Sequence, residues 1–159
     1  MTFDRIDLKI LDLLQHDATI PVARIADQVG LSQTPCWKRI QKHEAAGVIR
    51  GRVALLDPDA LGLSLTIFVM VEALDHTADW RASFLAIVET LGPVRDIYRL
   101  AGTHDFMLRV VVPDMSAFDA FYDTLTSRIR LRSVNSLFAL EKVRTSTALP
   151  LPKTSLEAD

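Results

Sequence analysis

The 159-residue sequence predicts an α+β chain of two small domains: a winged-type helix-turn-helix unit over 1–57, then a ferredoxin-like βαββαβ unit over 58–159. Three observations predict it. Up to Gly47 the apolar residues recur at helical spacing in three short blocks. Beyond Gly62 the grammar changes to runs rich in β-branched and aromatic residues, interleaved with helical blocks in the order strand, helix, strand, strand, helix, strand. Basic charge is gathered in one stretch, Lys38 to Arg52, which holds five Lys/Arg against Glu44 alone.

In the N-terminal unit, Phe3, Ile6, Ile10, Leu13 and Leu14 mark an amphipathic helix that stops near His16 and Asp17. Pro21 suits the first turn of a second helix, carried by Val22, Ile25, Ala26 and Val29 and closed by Gly30, which can take the left-handed cap. After the turn Gly30-Leu31-Ser32 a third helix opens on Ser32 or Thr34, with Pro35 in its first turn, and ends at Gly47. Two short helices joined by a tight glycine-containing turn form the helix-turn-helix pattern. Val48 to Leu56 alternates in part and is bounded by Gly47 and Asp57-Pro58, so it reads as a strand linking the two domains.

In the second unit, Ser64 to Ala73 is a strand with Leu65, Ile67, Val69 and Val71 on one face. Trp80, Phe84, Ile87, Val88 and Leu91 follow at helical spacing until Gly92-Pro93 stops them. Val94 to Ala101 and Phe106 to Val112 are strands joined by Gly102-Thr103-His104-Asp105, a connection of hairpin length. Phe118, Phe121, Tyr122, Leu125 and Ile129 mark a helix opened by Ser116 with Asp119 three residues on, and a last strand runs from about Val134 to Val143. Apolar residues on both faces of Ser64 to Ala73 predict that the sheet's open face meets a second copy, giving a homodimer. The tail after Leu151 is polar and expected to fray.

Composition narrows the function. Half the residues are apolar (49%), a quarter are charged (24%), and the net charge is −2. No apolar run reaches the roughly 18 residues a membrane helix needs, and MTFDRIDLKI lacks the basic flank of a signal peptide, so a cytoplasmic location is expected. One cysteine excludes an internal disulfide, and four histidines without short paired spacing give no metal site. The charge is uneven: residues 1–52 carry a net +2 and the rest −4. No cofactor is expected.

On the third helix, Cys36, Ile40 and His43 share one face, which the other helices must cover. Ser32, Gln33, Thr34, Trp37, Lys38, Gln41 and Lys42 fall outward, with Arg50 and Arg52 just beyond Gly47. Such a surface suits double-stranded DNA. Lys38, Lys42, Arg50 and Arg52 would anchor phosphates, while Gln33, Thr34, Trp37 and Gln41 would lie nearer base edges. Arg39 lies between the two faces, and a pairing with Asp12 or Asp27 is the alternative to a DNA contact. Lys38, Arg39 and the helix N-terminus would lower the pKa of Cys36, but its inner position favours a small buried apolar residue over a reactive thiol.

The segments "LDLLQ", "DQVGLSQTPCWKRI", "GVIRG", "ALLDP", "GTHDFMLRVVV" and "FALEKVRTSTALPL" together resemble the Lrp/AsnC family of bacterial transcription regulators over nearly the whole chain. The resemblance implies a DNA-binding helix-turn-helix domain followed by a domain that dimerises, often builds octamers and commonly binds an amino acid. On it, "SQTPCWKRIQK" is the recognition helix, with His43 where the family usually has leucine. "GTHDF" is the family's effector loop, giving Gly102, Thr103, His104 and Asp105 an effector-binding role. Ser136 stands where a polar ligand-facing residue is frequent, while Val134 replaces a frequent threonine. "TPCWKR" resembles a cysteine-responsive branch, so cysteine is one expected effector.

Without the family, Gly102 permits close backbone approach and Asp105 can accept from an ammonium group, or simply cap its own turn. The expected function is therefore a sequence-specific, amino-acid-modulated transcription regulator, not an enzyme. The alternative is an amino-acid-binding module or small-molecule enzyme on a ferredoxin-like domain without specific DNA binding. Against an enzyme, the sequence offers no nucleophile elbow, phosphate loop or convincing acid/base pair.

Overall fold

A computed structural model describes residues 2–152. The chain divides into two compact units between Leu55 and Leu56, and the described residues 143–152 belong with the N-terminal one. The expected fraying after Leu151 falls almost wholly outside the described residues.

The N-terminal unit is three helices, α1 (Arg5–His16), α2 (Val22–Val29) and α3 (Gln33–Ala45). Asp4 caps α1 in a reciprocal capping box with Asp7, which satisfies two otherwise orphaned amides. Gly30 ends α2 in the left-handed region (φ 73°), so that its own N–H and that of Leu31 bond back to Asp27 and Ala26 carbonyls. That reversal sets α3 across α2, with Ser32 as N-cap. Ile10, Ile25, Ala26, Cys36 and Ile40 form the core between the helices, and Ile6, Leu13 and Val29 pack around it.

The predicted strand Val48 to Leu56 is not a strand in this chain. Val48 and Ile49 N–H groups close the end of α3 on the His43 carbonyl, and the chain then runs irregularly with Val53, Leu55 and Leu56 exposed. A strand needs an edge to pair with, and no described residue of this unit offers one. At the far end of the chain, the Gln15 amide clasps the backbone of Leu149, accepting from its N–H (2.9 Å) and donating to its carbonyl (3.2 Å).

The second unit is β1 (Leu65–Ala73), α4 (Ala78–Val88), β2 (Val94–Arg99), β3 (Phe106–Val112), α5 (Met115–Arg128) and β4 (Leu131–Phe138). The antiparallel sheet has the order β2-β3-β1-β4, the split βαβ arrangement the element order predicts. Strict alternation buries Ile67, Val69 and Val71 with Leu108 and Val110 against Phe84, Phe121 and Leu125 of the helices.

The opposite face carries half-buried Phe68 and Met70 with more exposed Tyr98 and Leu137. Several boundaries differ from expectation, among them the end of β2, which stops at Arg99 rather than Ala101. Asp114, not Ser116, caps α5, because its carboxylate reaches the Ala117 N–H (2.8 Å). The last strand starts three residues before Val134 and stops at Phe138, opposite Ile67 of β1.

Candidate nucleic-acid interface and effector loop

The outer side of α3 is built by subtraction. Cys36, Ile40 and His43 are buried, which leaves Ser32, Gln33, Thr34, Trp37, Lys38, Gln41 and Lys42 all exposed along one side. Trp37 exposes half of itself (51%), which is far more than packing alone explains for an indole. Arg50 and Arg52 are exposed beyond Gly47. Among the described residues, Lys38, Lys42 and Arg50 make no ion pair, whereas Glu44 holds Arg52 (2.9 Å) and accepts from the Gln41 amide (2.7 Å). A polyanion would have to compete with Glu44 for both groups.

Arg39 is held inside the domain. A single guanidinium nitrogen, Nη1, donates to Asp4 Oδ2 (2.6 Å) and Asp7 Oδ1 (2.7 Å), so its acidic partners lie on the first helix but are neither Asp12 nor Asp27. Asp7 is buried and also lies 3.1 Å from His43 Nε2. Burial alone would raise the Asp7 pKa. Hydrogen bonds from Arg39, the Asp4 backbone and His43 outweigh it and hold the carboxyl below its usual range. The Asp7 backbone amide, with Arg39, likewise depresses Asp4.

Asp7 thus explains how a histidine fits in a position predicted to be less apolar than the family norm. His43 is 1% exposed, its Nδ1 has no partner among the described residues, and its ring leans on Phe3. The spacing Asp4-x-x-Asp7 was a visible helix-start signal, but nothing local in the sequence ties it to Arg39. Cys36 is fully buried and burial pushes its thiol pKa up, the opposite of an activated nucleophile.

In the second unit, Gly102, Thr103, His104 and Asp105 form the β2–β3 connection. A side chain at Gly102 would meet open space, so no part of this chain demands a glycine there for room. Asp105 has structural work. Its N–H donates to the Val71 carbonyl (2.9 Å), and its Oδ2 accepts from the Ala73 N–H (2.8 Å), tying the connection to the end of β1 next to a register shift. Its other oxygen lies 3.3 Å from His76 Nδ1.

A cleft of about 30 Å³ opens beside it, where Arg81, Arg99 and Trp80 converge. The sequence marked neither arginine, and it marked Trp80 only as part of a helical apolar block. Ser136 pairs with Val69 on β4, across β1 from this connection, so one chain does not bring it to Asp105. A larger cavity, about 450 Å³, lies between the end of α5 and the start of β4.

A helix-turn-helix with an exposed basic recognition helix, joined to a ferredoxin-like domain, defines a DNA-binding regulator with a separate regulatory domain. The comparisons agree. Residues 3–42 match the AsnC-type helix-turn-helix domain and residues 66–149 the Lrp/AsnC ligand binding domain. The chain is 46% identical over 156 residues to the glutamate uptake regulatory protein of Zymomonas mobilis, covering 98% of this chain and 95% of that one. It is 41% identical to the DNA-binding transcriptional activator DecR of Escherichia coli, covering 93% and 98%.

Among solved structures, an AsnC family regulator from Agrobacterium tumefaciens superposes with a TM-score of 0.89 at 48% identity, covering 93% of this chain and 97% of that one. A Neisseria meningitidis transcriptional regulator, solved as its L-Met complex, gives 0.88 at 34% identity, covering 94% and 97%. The chain belongs to the Lrp/AsnC family of transcription regulators. The relatives are named as regulators rather than enzymes, and no described residues form a group that could hold a metal. No helix among them is long and apolar enough to cross a membrane.

Proposed function

We propose that this regulator binds operator DNA in the cytoplasm as a homodimer through Ser32, Gln33, Thr34, Trp37, Lys38, Gln41, Lys42, Arg50 and Arg52. A small amino acid at the Gly102 to Asp105 connection would modulate that binding. The single observation that carries the DNA half is the exposed row on α3 opposite buried Cys36, Ile40 and His43, with unpaired Lys38, Lys42 and Arg50 along it. Two copies would set their recognition helices in successive major grooves about 34 Å apart. The half-buried Phe68 and Met70 on the open sheet face support pairing through the sheets, and assembly to octamers extends the same reading.

The amino-acid half is supported by the ligand-binding domain match and by the L-Met complex of the Neisseria relative. Asp105 supplies an acceptor for an ammonium group. Ser136 would contribute from a different chain, and cysteine is one effector to test. An effector changes DNA affinity only as far as it binds two assembly states unequally.

The test is fluorescence anisotropy of the full chain on its own upstream DNA, across a salt series, beside Lys38→Ala. Tight binding that weakens with salt is expected, and the variant's log–log slope should be shallower by about one. Equal binding of random DNA by both proteins would refute the reading. For the effector half, Asp105→Asn keeps an acceptor for the Ala73 N–H while removing the charge. Unchanged amino-acid binding in that variant would refute the loop assignment.

A further inference from the structure

We propose that Glu44 sets base specificity through Gln41, by taking one of its amide hydrogens so that Gln41 reads adenine and not guanine. The proposal rests on α3 being the surface laid against DNA. It deepens that reading by giving one residue of the exposed row a base, and by giving a role to an acid that stands beside the row.

Glu44 is an acid where one is least expected. It lies in the last turn of α3, near the negative end of the helix and beside Lys42, on a surface proposed for a polyanion. Helix dipole and phosphate both disfavour a carboxylate there. Each of its oxygens nonetheless has a partner: Oε2 accepts from Gln41 Nε2 at 2.7 Å, and Oε1 lies 2.9 Å from Arg52 Nη2. Arg52 fixes the carboxylate from one side while Gln41 is held on the other. The guanidinium keeps further N–H groups for a phosphate, so the pairing does not remove Arg52 from the anchoring set.

The chemistry of this contact decides which way the amide faces. A carboxylate only accepts, so the nitrogen of Gln41, not its oxygen, must turn to Glu44. Gln41 is left with one N–H and its carbonyl, and no hydrogen bond among the described residues reaches Oε1. One donor beside one acceptor matches the major-groove edge of adenine, where N7 accepts and the N6 amino group donates. Guanine presents two acceptors, O6 and N7, and would need both hydrogens. A free glutamine could offer either pattern, and Glu44 withdraws that choice while lowering the ordering cost of binding. Gln41 shares its stripe with Thr34, Trp37 and Lys38. Among the described residues, no hydrogen bond or ion pair engages those three side chains, so Gln41 alone in the stripe is oriented in advance.

The experiment enriches sites from a randomised duplex pool with the full chain and reads each base position by sequencing, for the parent, Gln41→Ala, Glu44→Ala and the double variant. In the parent, one position of each half-site should favour adenine over guanine by about tenfold or more. Gln41→Ala should erase that preference and leave the other positions as they were. Glu44→Ala frees the second hydrogen, so it should bring guanine within about threefold of adenine at that position alone, and should add nothing once Gln41 is gone. A merely structural Glu44 would instead weaken every position alike and move the unfolding midpoint, which alanine at a partly exposed helical site should leave in place. An adenine preference kept in Glu44→Ala overturns the proposal, as does a Gln41-dependent position that favours guanine. Lys38→Ala, run alongside, reports on the surface as a whole. A parent that enriches no motif, or a motif indifferent to both Lys38→Ala and Gln41→Ala, overturns the reading of α3 itself.

Discussion

Replacing Asp7 by alanine should cost the helical domain about 3–4 kcal/mol, near the lower end for removing one partner of a buried ion pair. Asp7 is 5% exposed, and its carboxylate meets Arg39 at 2.7 Å, His43 at 3.1 Å and the Asp4 N–H at 3.2 Å. The loss is tempered because Arg39 keeps Asp4 and is partly exposed. It is increased because His43, whose Nδ1 already lacks a partner, loses its other contact, a penalty of about 1–3 kcal/mol for a buried polar group.

The measurement is urea denaturation followed by Trp37 emission in a Trp80→Phe background, which reads the N-terminal unit alone. Adding His43→Leu to Asp7→Ala removes both buried polar partners, so the double variant should be more stable than Asp7→Ala by about 1 kcal/mol or more. A cost below about 1 kcal/mol for Asp7→Ala, or a double variant no more stable than the single, would refute the view that this network fixes α1 to α3.

Acid should act through the same groups. Asp4 and Asp7 are both depressed in the folded state, so their stabilisation is complete above the usual carboxylate range and disappears as pH falls below about 4 through their folded values. The Trp37 unfolding midpoint should therefore drop on acidification much less in Asp7→Ala than in the parent. Gly30→Ala forces an L-residue into φ 73° and should destabilise the same unit by about 1–2 kcal/mol, read by the same assay. Gln15→Ala should release the chain around Leu149, seen as faster proteolytic clipping there with little change in the urea midpoint. The Cys36 thiol should react with a thiol reagent at the rate of domain opening, rising sharply in Asp7→Ala.

Periodicity made most of the fold legible, because each element buries one face: Ile67, Val69 and Val71 alternate, and Cys36, Ile40 and His43 recur by four and three. What it could not give was anything decided by a partner. Val48 to Leu56 alternates in part, but alternation reports which faces differ, not whether an edge is available, and this chain supplies none among its described residues. The start of α5 was read at Ser116, but the Asp114 carboxylate, two residues earlier, is the group that takes the Ala117 N–H.

The candidate sites divide along the same line. The exposed row on α3 was legible because exposure on a helix follows from which side is buried, and that is written in spacing. The roles of Arg39 and Asp105 were not, since each depends on contacts across sequence, 35 residues from Arg39 to Asp4 and 32 from Asp105 to Ala73. Arg39 sits beside the exposed Lys38 and Lys42 and resembles them in charge, yet it bonds to two carboxylates at 2.6 and 2.7 Å, one of them buried. A phosphate would have to offer more than both to draw it out, and doing so would strand Asp7 beside His43. In this domain, therefore, the basic residue nearest the core aligns the recognition helix while Lys38, Lys42 and Arg50 remain available to bind. An Arg39 substitution should then lower domain stability first and DNA affinity through it, whereas Lys38→Ala should change affinity and its salt slope without moving the unfolding midpoint.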